Sequence, residues 1–231
     1  MKFVDLGLQY KRGKTEIDKR IQGVLDHGFY VNGPEVKELE MKLAAKVETN
    51  HCISTANGSD ALLLALMAAG IEENDEILTT PFTYIATVEM ICLLKAKPVF
   101  IDIDKKTFNI QTKDLSRYLS SQTKGIMPVN IFGKCANFEE INKFATQNKL
   151  VVIEDAAQSF GAESKGKKSC SLGDFGCTSF FPSKPLGCYG DGGAIFTDDN
   201  DMAEKLKELK EHGQSAPYVH TRIGFNSRLD S

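Results

Sequence analysis

Short apolar segments alternate with amphipathic helical segments along nearly the whole chain, and this alternation limits the folds open to it. The apolar segments are almost continuously hydrophobic, which indicates strands covered on both faces. This order is typical of a mainly parallel sheet with helices on both sides. We therefore predict an α/β domain built on a seven-stranded mixed sheet. The predicted strands are Cys52–Thr55, Glu76–Thr80, Pro98–Asp102, Gly125–Val129, Val151–Glu154, Cys177–Phe181 and Ala194–Thr197.

Glycine and proline mark several of the predicted helix ends. Gly28 and Gly213 are expected to stop helices, and Gly33-Pro34 is expected to start one. The predicted helices are Thr15–His27, Pro34–Val47, Ser59–Ala69, Thr83–Leu94, Thr112–Leu119, Phe138–Asn148 and Asp199–His212.

Composition argues against several classes of protein. The 28 basic and 31 acidic residues give a net charge of −3, and no basic block suggests a nucleic-acid surface. No apolar run approaches the ~20 residues of a membrane span, and the chain does not open on a signal peptide, so a cytoplasmic protein is expected. The six cysteines form no C-x-x-C pair, which argues for reduced thiols and against zinc. No strand leads into G-x-G-x-x-G, which argues against a nicotinamide oxidoreductase.

One lysine has unusual surroundings. Lys184 lies between two prolines in the run Phe180-Phe181-Pro182-Ser183-Lys184-Pro185-Leu186-Gly187. A partly desolvated ammonium loses its proton more easily, and the neutral amine forms Schiff bases. Asp155 follows an apolar strand upstream, where α/β sheets bind ligands. The pair predicts a pyridoxal phosphate site in which Lys184 carries the aldehyde and Asp155 keeps the pyridine nitrogen protonated.

Two alternatives for Asp155 remain open at this point. It could cap a following helix, or pair with Glu154 as a Mg²⁺ ligand, although adjacent strand residues point to opposite faces. Gln158, three residues further on, is expected to share a helical face with Asp155 and to bond the ring hydroxyl.

Two further segments follow predicted strand ends. Asn57-Gly58-Ser59 opens an Ala/Leu-rich helix whose free N–H groups would face a phosphate, unless Ser59 is an ordinary N-cap. Tyr84 is placed either to stack on a cofactor ring or to fill the core.

These segments, in this order, resemble the DegT/DnrJ/EryC1/StrS aminotransferases, a fold-type I pyridoxal phosphate family, along essentially the whole chain. The matching runs are Phe3-Val4-Asp5-Leu6, Gly33-Pro34-Glu35-Val36, Asn57-Gly58-Ser59-Asp60-Ala61-Leu62, Phe82-Thr83-Tyr84-Ile85-Ala86-Thr87, Glu154-Asp155-Ala156-Ala157-Gln158-Ser159-Phe160-Gly161-Ala162, Ser179-Phe180-Phe181-Pro182-Ser183-Lys184 and Asn226-Ser227-Arg228-Leu229-Asp230.

The resemblance implies a role for each site residue. Lys184 would hold the cofactor and carry a proton, Asp155 would pair with the ring nitrogen, and Gln158 with the ring hydroxyl. The remaining cofactor contacts would come from Tyr84 on the ring, from Gly58, Ser59 and Ser179 on the phosphate, and from Asn226 on the phosphate of the other subunit. The last contact implies a homodimer with shared active sites.

The resemblance also implies a substrate. The run from Ser179 to Gly193 is similar to the same run in family members of bacterial O-antigen polysaccharide synthesis. Those enzymes aminate a UDP-3-keto-uronic acid sugar, with glutamate as the donor. Arg228 lies near Asn226 and is predicted to bind the sugar carboxylate, with a structural ion pair to Asp230 or another acidic residue as the alternative. Residues 1–231 are expected to be the cofactor-binding large domain with an N-terminal segment, without the family's smaller C-terminal domain.

Two alternative functions remain. A pyridoxal-dependent sugar dehydratase shares the fold, but that branch has histidine in place of the lysine, so Lys184 argues against it. A truncated, catalytically impaired remnant could act as a binding or regulatory protein. The intact set of Lys184, Asp155 and Gln158 favours an enzyme, whereas the expected lack of the smaller domain favours the remnant.

Overall fold

Eleven strands are present in the computed structural model, which describes residues 4–231. Seven of them form one sheet and the other four form two short hairpins. The strands are β1 (His51–Thr55), β2 (Glu76–Thr79), β3 (Lys97–Phe100), β4 (Thr123–Ile126), β5 (Val151–Asp155), β6 (Glu163–Ser164), β7 (Lys167–Lys168), β8 (Phe175–Ser179), β9 (Gly193–Thr197), β10 (Gln214–Ala216) and β11 (Val219–His220).

The large sheet has the order β1-β9-β8-β5-β4-β2-β3. Strand β9 runs antiparallel to both of its neighbours, β1 and β8, and every other adjacent pair is parallel. The carboxyl ends of six strands therefore lie at one edge of the sheet, which is where open α/β sheets bind ligands. The predicted mainly parallel, seven-stranded mixed sheet is confirmed.

Helices cover both faces of the sheet. Successive residues of β2, Ile77 and Leu78, are both fully buried but belong to different apolar clusters, because strand side chains alternate between faces. The helices are α1 (Leu6–His27), α2 (Pro34–Val47), α3 (Gly58–Ala68), α4 (Ala86–Leu93), α5 (Phe138–Asn148) and α6 (Asn200–Leu209), with a 3₁₀ turn at Leu115–Tyr118. The Ile77 cluster contains residues of α3, α4 and α6, and the Leu78 cluster contains residues of α5.

Several predicted helix boundaries were wrong. The helix predicted over Thr112–Leu119 is only the 3₁₀ turn, because Asp114 is left-handed (φ 59°) and Leu119 is extended. Helix α1 begins at Leu6 instead of Thr15, since the Asp5 side chain accepts a 3.0 Å hydrogen bond from Leu8 N and caps it.

The glycine signals were right at two helix ends and wrong at a third. Gly28 is the left-handed C-cap of α1 (φ 74°), and Gly33 is the N-cap of α2 with Pro34 as its first residue, as predicted. Gly213 does not stop α6, which ends at Leu209, and lies instead in a turn with φ 70°.

Between residues 4 and 231, no helix is both long and apolar enough to cross a bilayer. In the same range, no group of three or more His, Cys, Asp or Glu side chains is placed to hold a metal ion. Phe3 of the opening family motif lies outside the described residues.

Glu154 is fully buried in β5 and anchors the segment that follows the β6–β7 hairpin. Its carboxylate accepts hydrogen bonds from Asn130 Nδ2 (2.8 Å), from Ser169 Oγ (2.8 Å) and from the backbone N–H groups of Cys170 and Leu172 (3.0 and 3.1 Å). Burial raises the pKa of Glu154, and these donors oppose that shift. The carboxylate is thus the common acceptor for two separate stretches of chain, at Asn130 and at residues 169–172.

We expect Glu154→Ala to lower the free energy of unfolding by about 3 kcal/mol or more, because several buried donors lose their acceptor. Urea denaturation measures this change. Glu163→Ala, which removes an exposed carboxylate paired with Lys168 in the nearby hairpin, is the control and should change stability by less than about 1 kcal/mol. Equal effects of the two substitutions would contradict the anchoring role of Glu154.

Candidate active site

A cavity of about 640 Å³ opens at the carboxyl edge of the sheet. The ends of several strands each contribute one part of the cavity wall. The loop after β1 leads into α3, the loop after β2 carries Tyr84, β5 ends at Asp155, and β8 ends at Ser179 ahead of Lys184. Seven of the nine predicted site residues line this one cavity: Gly58, Ser59, Tyr84, Asp155, Gln158, Ser179 and Lys184.

Asp155 is a buried carboxylate in the cavity wall. Its Oδ2 accepts a 2.7 Å hydrogen bond from Thr87 Oγ1, and its Oδ1 accepts a 3.2 Å bond from the N–H of Ala157. Burial raises the pKa of Asp155, while these two donors and the charge of Lys184 oppose the shift. A turn follows β5 instead of a helix, so the helix-cap alternative is wrong.

Lys184 is half-buried at the cavity, on a turn closed by a 2.8 Å hydrogen bond from its own N–H to the carbonyl of Phe181. Burial lowers the pKa of the Lys184 ammonium, and the negative charge of Asp155 opposes that shift. A larger share of this side chain is therefore neutral at a given pH than for a fully solvated lysine, as a nucleophilic amine requires.

The N-terminus of α3 forms a cradle suited to an anion. Asn57 is the N-cap and accepts a 2.8 Å bond from Asp60 N, so the Ser59 N-cap alternative is wrong and α3 begins one residue earlier than predicted. Within residues 4–231, the N–H groups of Gly58 and Ser59 have no acceptor. A Cβ on Gly58 would come within 2.6 Å of Ser179 Cβ, so only glycine permits this approach.

Tyr84 and Gln158 both reach the cavity from irregular segments. The predicted helix over Thr83–Leu94 begins only at Ala86, so Tyr84 stays on the loop, 70% exposed, instead of filling the core. Gln158 is exposed on the turn after β5, and its side chain has no hydrogen-bond partner in the described part of the chain. Both side chains are available to a ligand.

Asn226 and Arg228 do not line this cavity. Arg228 Nε donates a 2.8 Å hydrogen bond to Asn226 Oδ1. No carboxylate of residues 4–231 lies within salt-bridge distance of Arg228, so the ion pair with Asp230 is wrong. The charge of the guanidinium therefore has no acidic partner among the residues that the structure describes.

The sequence interpretation missed two threonines. Thr87 bonds to Asp155, and Thr83 Oγ1 lies 2.7 Å from Thr87 Oγ1. The signal was their spacing of four residues just after a strand end. Where the chain turns into a helix, this spacing brings two side chains together.

The magnesium alternative for Glu154 and Asp155 is also wrong. Glu154 is bonded to Asn130, Ser169 and the 170–172 backbone, whereas Asp155 is bonded to Thr87 and Ala157, so the two carboxylates share no partner. Their positions next to each other in β5 place them on opposite faces of the sheet.

The sequence profile of the DegT/DnrJ/EryC1/StrS aminotransferase family matches residues 11–231. The chain belongs to this family. It is 53% identical over all of its 231 residues to the UDP-2-acetamido-2-deoxy-3-oxo-D-glucuronate aminotransferase of Pseudomonas aeruginosa, of which it covers 64%. The chain therefore spans slightly less than two thirds of that relative's length.

Solved structures of family members have the same fold. A DegT/DnrJ/EryC1/StrS aminotransferase from Brucella abortus superposes with a TM-score of 0.96 at 40% identity, covering 100% of this chain and 64% of that one. NtdA from Bacillus subtilis, solved with bound cofactor PMP, gives 0.90 at 30% identity, covering 95% of this chain and 50% of that one.

We expect Gly58→Ala to weaken binding of pyridoxal 5′-phosphate by about tenfold or more, because the new methyl group collides with Ser179 and closes the cradle. Fluorescence titration measures the affinity. Binding of pyridoxal, which lacks the phosphate, should change far less.

The matched control is Gly23→Ala in α1, where an added Cβ meets no atom within 4 Å. It should leave affinity unchanged and add about 0.5–1 kcal/mol of stability. If Gly58→Ala bound the phosphorylated cofactor as tightly as the native chain does, the cradle would be assigned to the wrong place.

Proposed function

We propose that residues 1–231 form the cofactor-binding large domain of a pyridoxal phosphate-dependent aminotransferase that moves an amino group from glutamate to a keto group of a nucleotide sugar. One observation carries the proposal: the buried Asp155 and the half-buried Lys184 meet in one cavity beside the free N–H groups at the start of α3. Family membership and the 53% identity to a nucleotide-sugar aminotransferase support it.

The cavity residues fit the cofactor by their chemistry. The N–H groups of Gly58 and Ser59, with the Ser179 hydroxyl, would hold the phosphate, because helix N-termini attract anions. Asp155 would face the ring nitrogen, Gln158 the ring hydroxyl and Tyr84 the ring face. All six of these residues line the cavity.

When bound, pyridoxal phosphate supplies an electron-withdrawing ring that stabilises negative charge on the substrate carbon and receives the amino group. Lys184 would attach the aldehyde and, as a neutral amine, would move a proton between substrate and cofactor. Asp155 would face the ring nitrogen and, when ionised, would favour its protonated form.

The acceptor we propose is a UDP-3-keto-uronic acid sugar of bacterial O-antigen polysaccharide synthesis. Similarity to the Pseudomonas aeruginosa enzyme supports this choice. The unpaired charge of Arg228 supports it too, since a guanidinium binds a carboxylate through two parallel hydrogen bonds.

The assembly we propose is a homodimer in the cytoplasm. Asn226 and Arg228 do not line the cavity of their own subunit, which is expected if they complete the site of the partner. All six cysteines are free, as is usual in a reducing compartment.

Borohydride reduction in the presence of pyridoxal phosphate should fix the cofactor to Lys184, as identified by peptide mass. Because burial lowers the pKa of Lys184, its labelling should persist to lower pH than labelling of exposed lysines. Lys184→Ala should abolish the specific label, and Lys184→Arg should not restore it, since a guanidinium keeps its proton.

Lys205→Ala is the matched control, because Lys205 is also half-buried but donates to the Ala68 carbonyl far from the cavity. It should leave the Lys184 label intact. A label distributed over other lysines and unaffected by Lys184→Ala would overturn the proposed function.

Arg228 tests the substrate class. We expect Arg228→Ala to weaken binding of a UDP-uronic acid sugar by roughly tenfold to a hundredfold, the range for a lost charge-assisted contact, and Arg228→Lys to restore little of it. Calorimetry with the corresponding neutral UDP sugar should show a much smaller change. Arg222→Ala, which removes an arginine already paired with Glu208, is the control. Equal losses for both sugars would make Arg228 structural.

A further inference from the structure

Two threonine hydroxyls connect the loop of Tyr84 to the buried carboxylate of Asp155. Thr87 Oγ1 lies 2.7 Å from Asp155 Oδ2, and Thr83 Oγ1 lies 2.7 Å from Thr87 Oγ1. Thr87 is only 1% exposed, whereas Thr83 is half-buried at the cavity wall. The N–H of Thr87 also donates to the Tyr84 carbonyl at 3.2 Å, so Thr83, Tyr84 and Thr87 belong to one turn.

The hydrogen bonds in this chain have a defined direction. A hydroxyl has a single proton to donate, and an ionised carboxylate can only accept. Thr87 must therefore donate to Asp155, and it has no proton left for Thr83. Thr83 must donate to Thr87, so both bonds point toward the carboxylate and each strengthens the other.

We propose that Thr83 and Thr87 are positioning residues whose hydroxyl relay fixes the orientation of the Asp155 carboxylate and preserves its charge. Bonding Oδ2 to Thr87 leaves Oδ1, with only its 3.2 Å bond from Ala157 N, as the oxygen for a cationic ring nitrogen. The identity of that ring rests on the proposed function, but the relay itself does not.

Few charged or titratable groups face Asp155 besides the relay. Lys184, on the segment after β8, is the charge that acts on it, and Cys177 lies on β8, the neighbouring strand. Burial raises the pKa of the Cys177 thiol well above its usual range, so it stays neutral. Burial raises the pKa of Asp155, and the hydrogen bond from Thr87 is the main contact that lowers it.

Removing this hydroxyl should raise the pKa of Asp155 further, so that the carboxylate protonates at a higher pH. The measurement is a ¹³C NMR titration of side-chain carboxyl groups in the cofactor-free 231-residue chain, with the Asp155 signal assigned through Asp155→Asn. Thr87→Val, which keeps the shape, should shift the titration upward, and Thr87→Ser, which keeps the hydroxyl, should restore it. Thr83→Val should cause a smaller rise and add nothing once residue 87 is valine.

Thr79→Val is the matched control. Thr79 is fully buried at the end of β2, the strand that precedes the relay threonines. Its hydroxyl donates to the Met127 carbonyl at 2.8 Å instead of to Asp155. Its loss removes a buried hydrogen bond without touching the relay, so the Asp155 titration should not move.

Cofactor affinity gives a second measurement. We expect Thr87→Val to weaken pyridoxal phosphate binding about tenfold near neutral pH, and Thr87→Ser to bind nearly as the native chain does. An Asp155 titration unchanged by Thr87→Val would overturn the relay, and should that variant fail to fold, an unchanged titration in Thr83→Val would do so. If the titration moves as expected but no variant or native chain binds the cofactor, the proposed function fails and the relay stands.

Discussion

The burial of Asp155 at the end of β5 is the constraint on which the rest of the site depends. A carboxylate removed from water is stable only if donors or a positive charge compensate for the lost hydration. Here the compensation comes from Thr87, from the Ala157 backbone and from Lys184. Those groups belong to three different segments, so the contacts that offset the burial of Asp155 also draw the start of α4, the turn after β5 and the segment after β8 around one cavity.

The sheet makes this convergence possible. Six strands present their carboxyl ends at one edge. The single antiparallel strand, β9, lies between β1 and β8 and presents its amino end there. Close backbone packing then brings the β1 and β8 ends together, as the approach of Gly58 to Ser179 shows. Neighbouring Glu154 performs a different task on the opposite face, where it anchors a loop. Adjacent acidic residues thus divide between holding the fold and serving the cavity, because the pleat separates them by face.

Much of this arrangement could be predicted from sequence because strand periodicity and strand-end position are local signals. The seven strands and the convergence of Asp155, Lys184 and Gly58 followed from them. The false helix over residues 112–119 shows the limit: its amphipathic pattern lacks the information that Asp114 is left-handed. Thr87 was missed for a related reason, since its role is defined by the partner its hydroxyl finds across the fold.

The position of Arg228 follows from a different physical rule. A guanidinium remains charged at any physiological pH, and a protein usually supplies it with an acidic partner or leaves it to water. Arg228 is only partly exposed, is bonded through Nε to Asn226, and has no carboxylate within reach in the described chain. Its remaining donors form the planar pair that suits a carboxylate, and Arg228 does not line the cavity of this chain. The acidic sugar and the second subunit that we propose would satisfy the charge, the donor geometry and the position together, whereas a neutral sugar would leave the guanidinium without a negative partner.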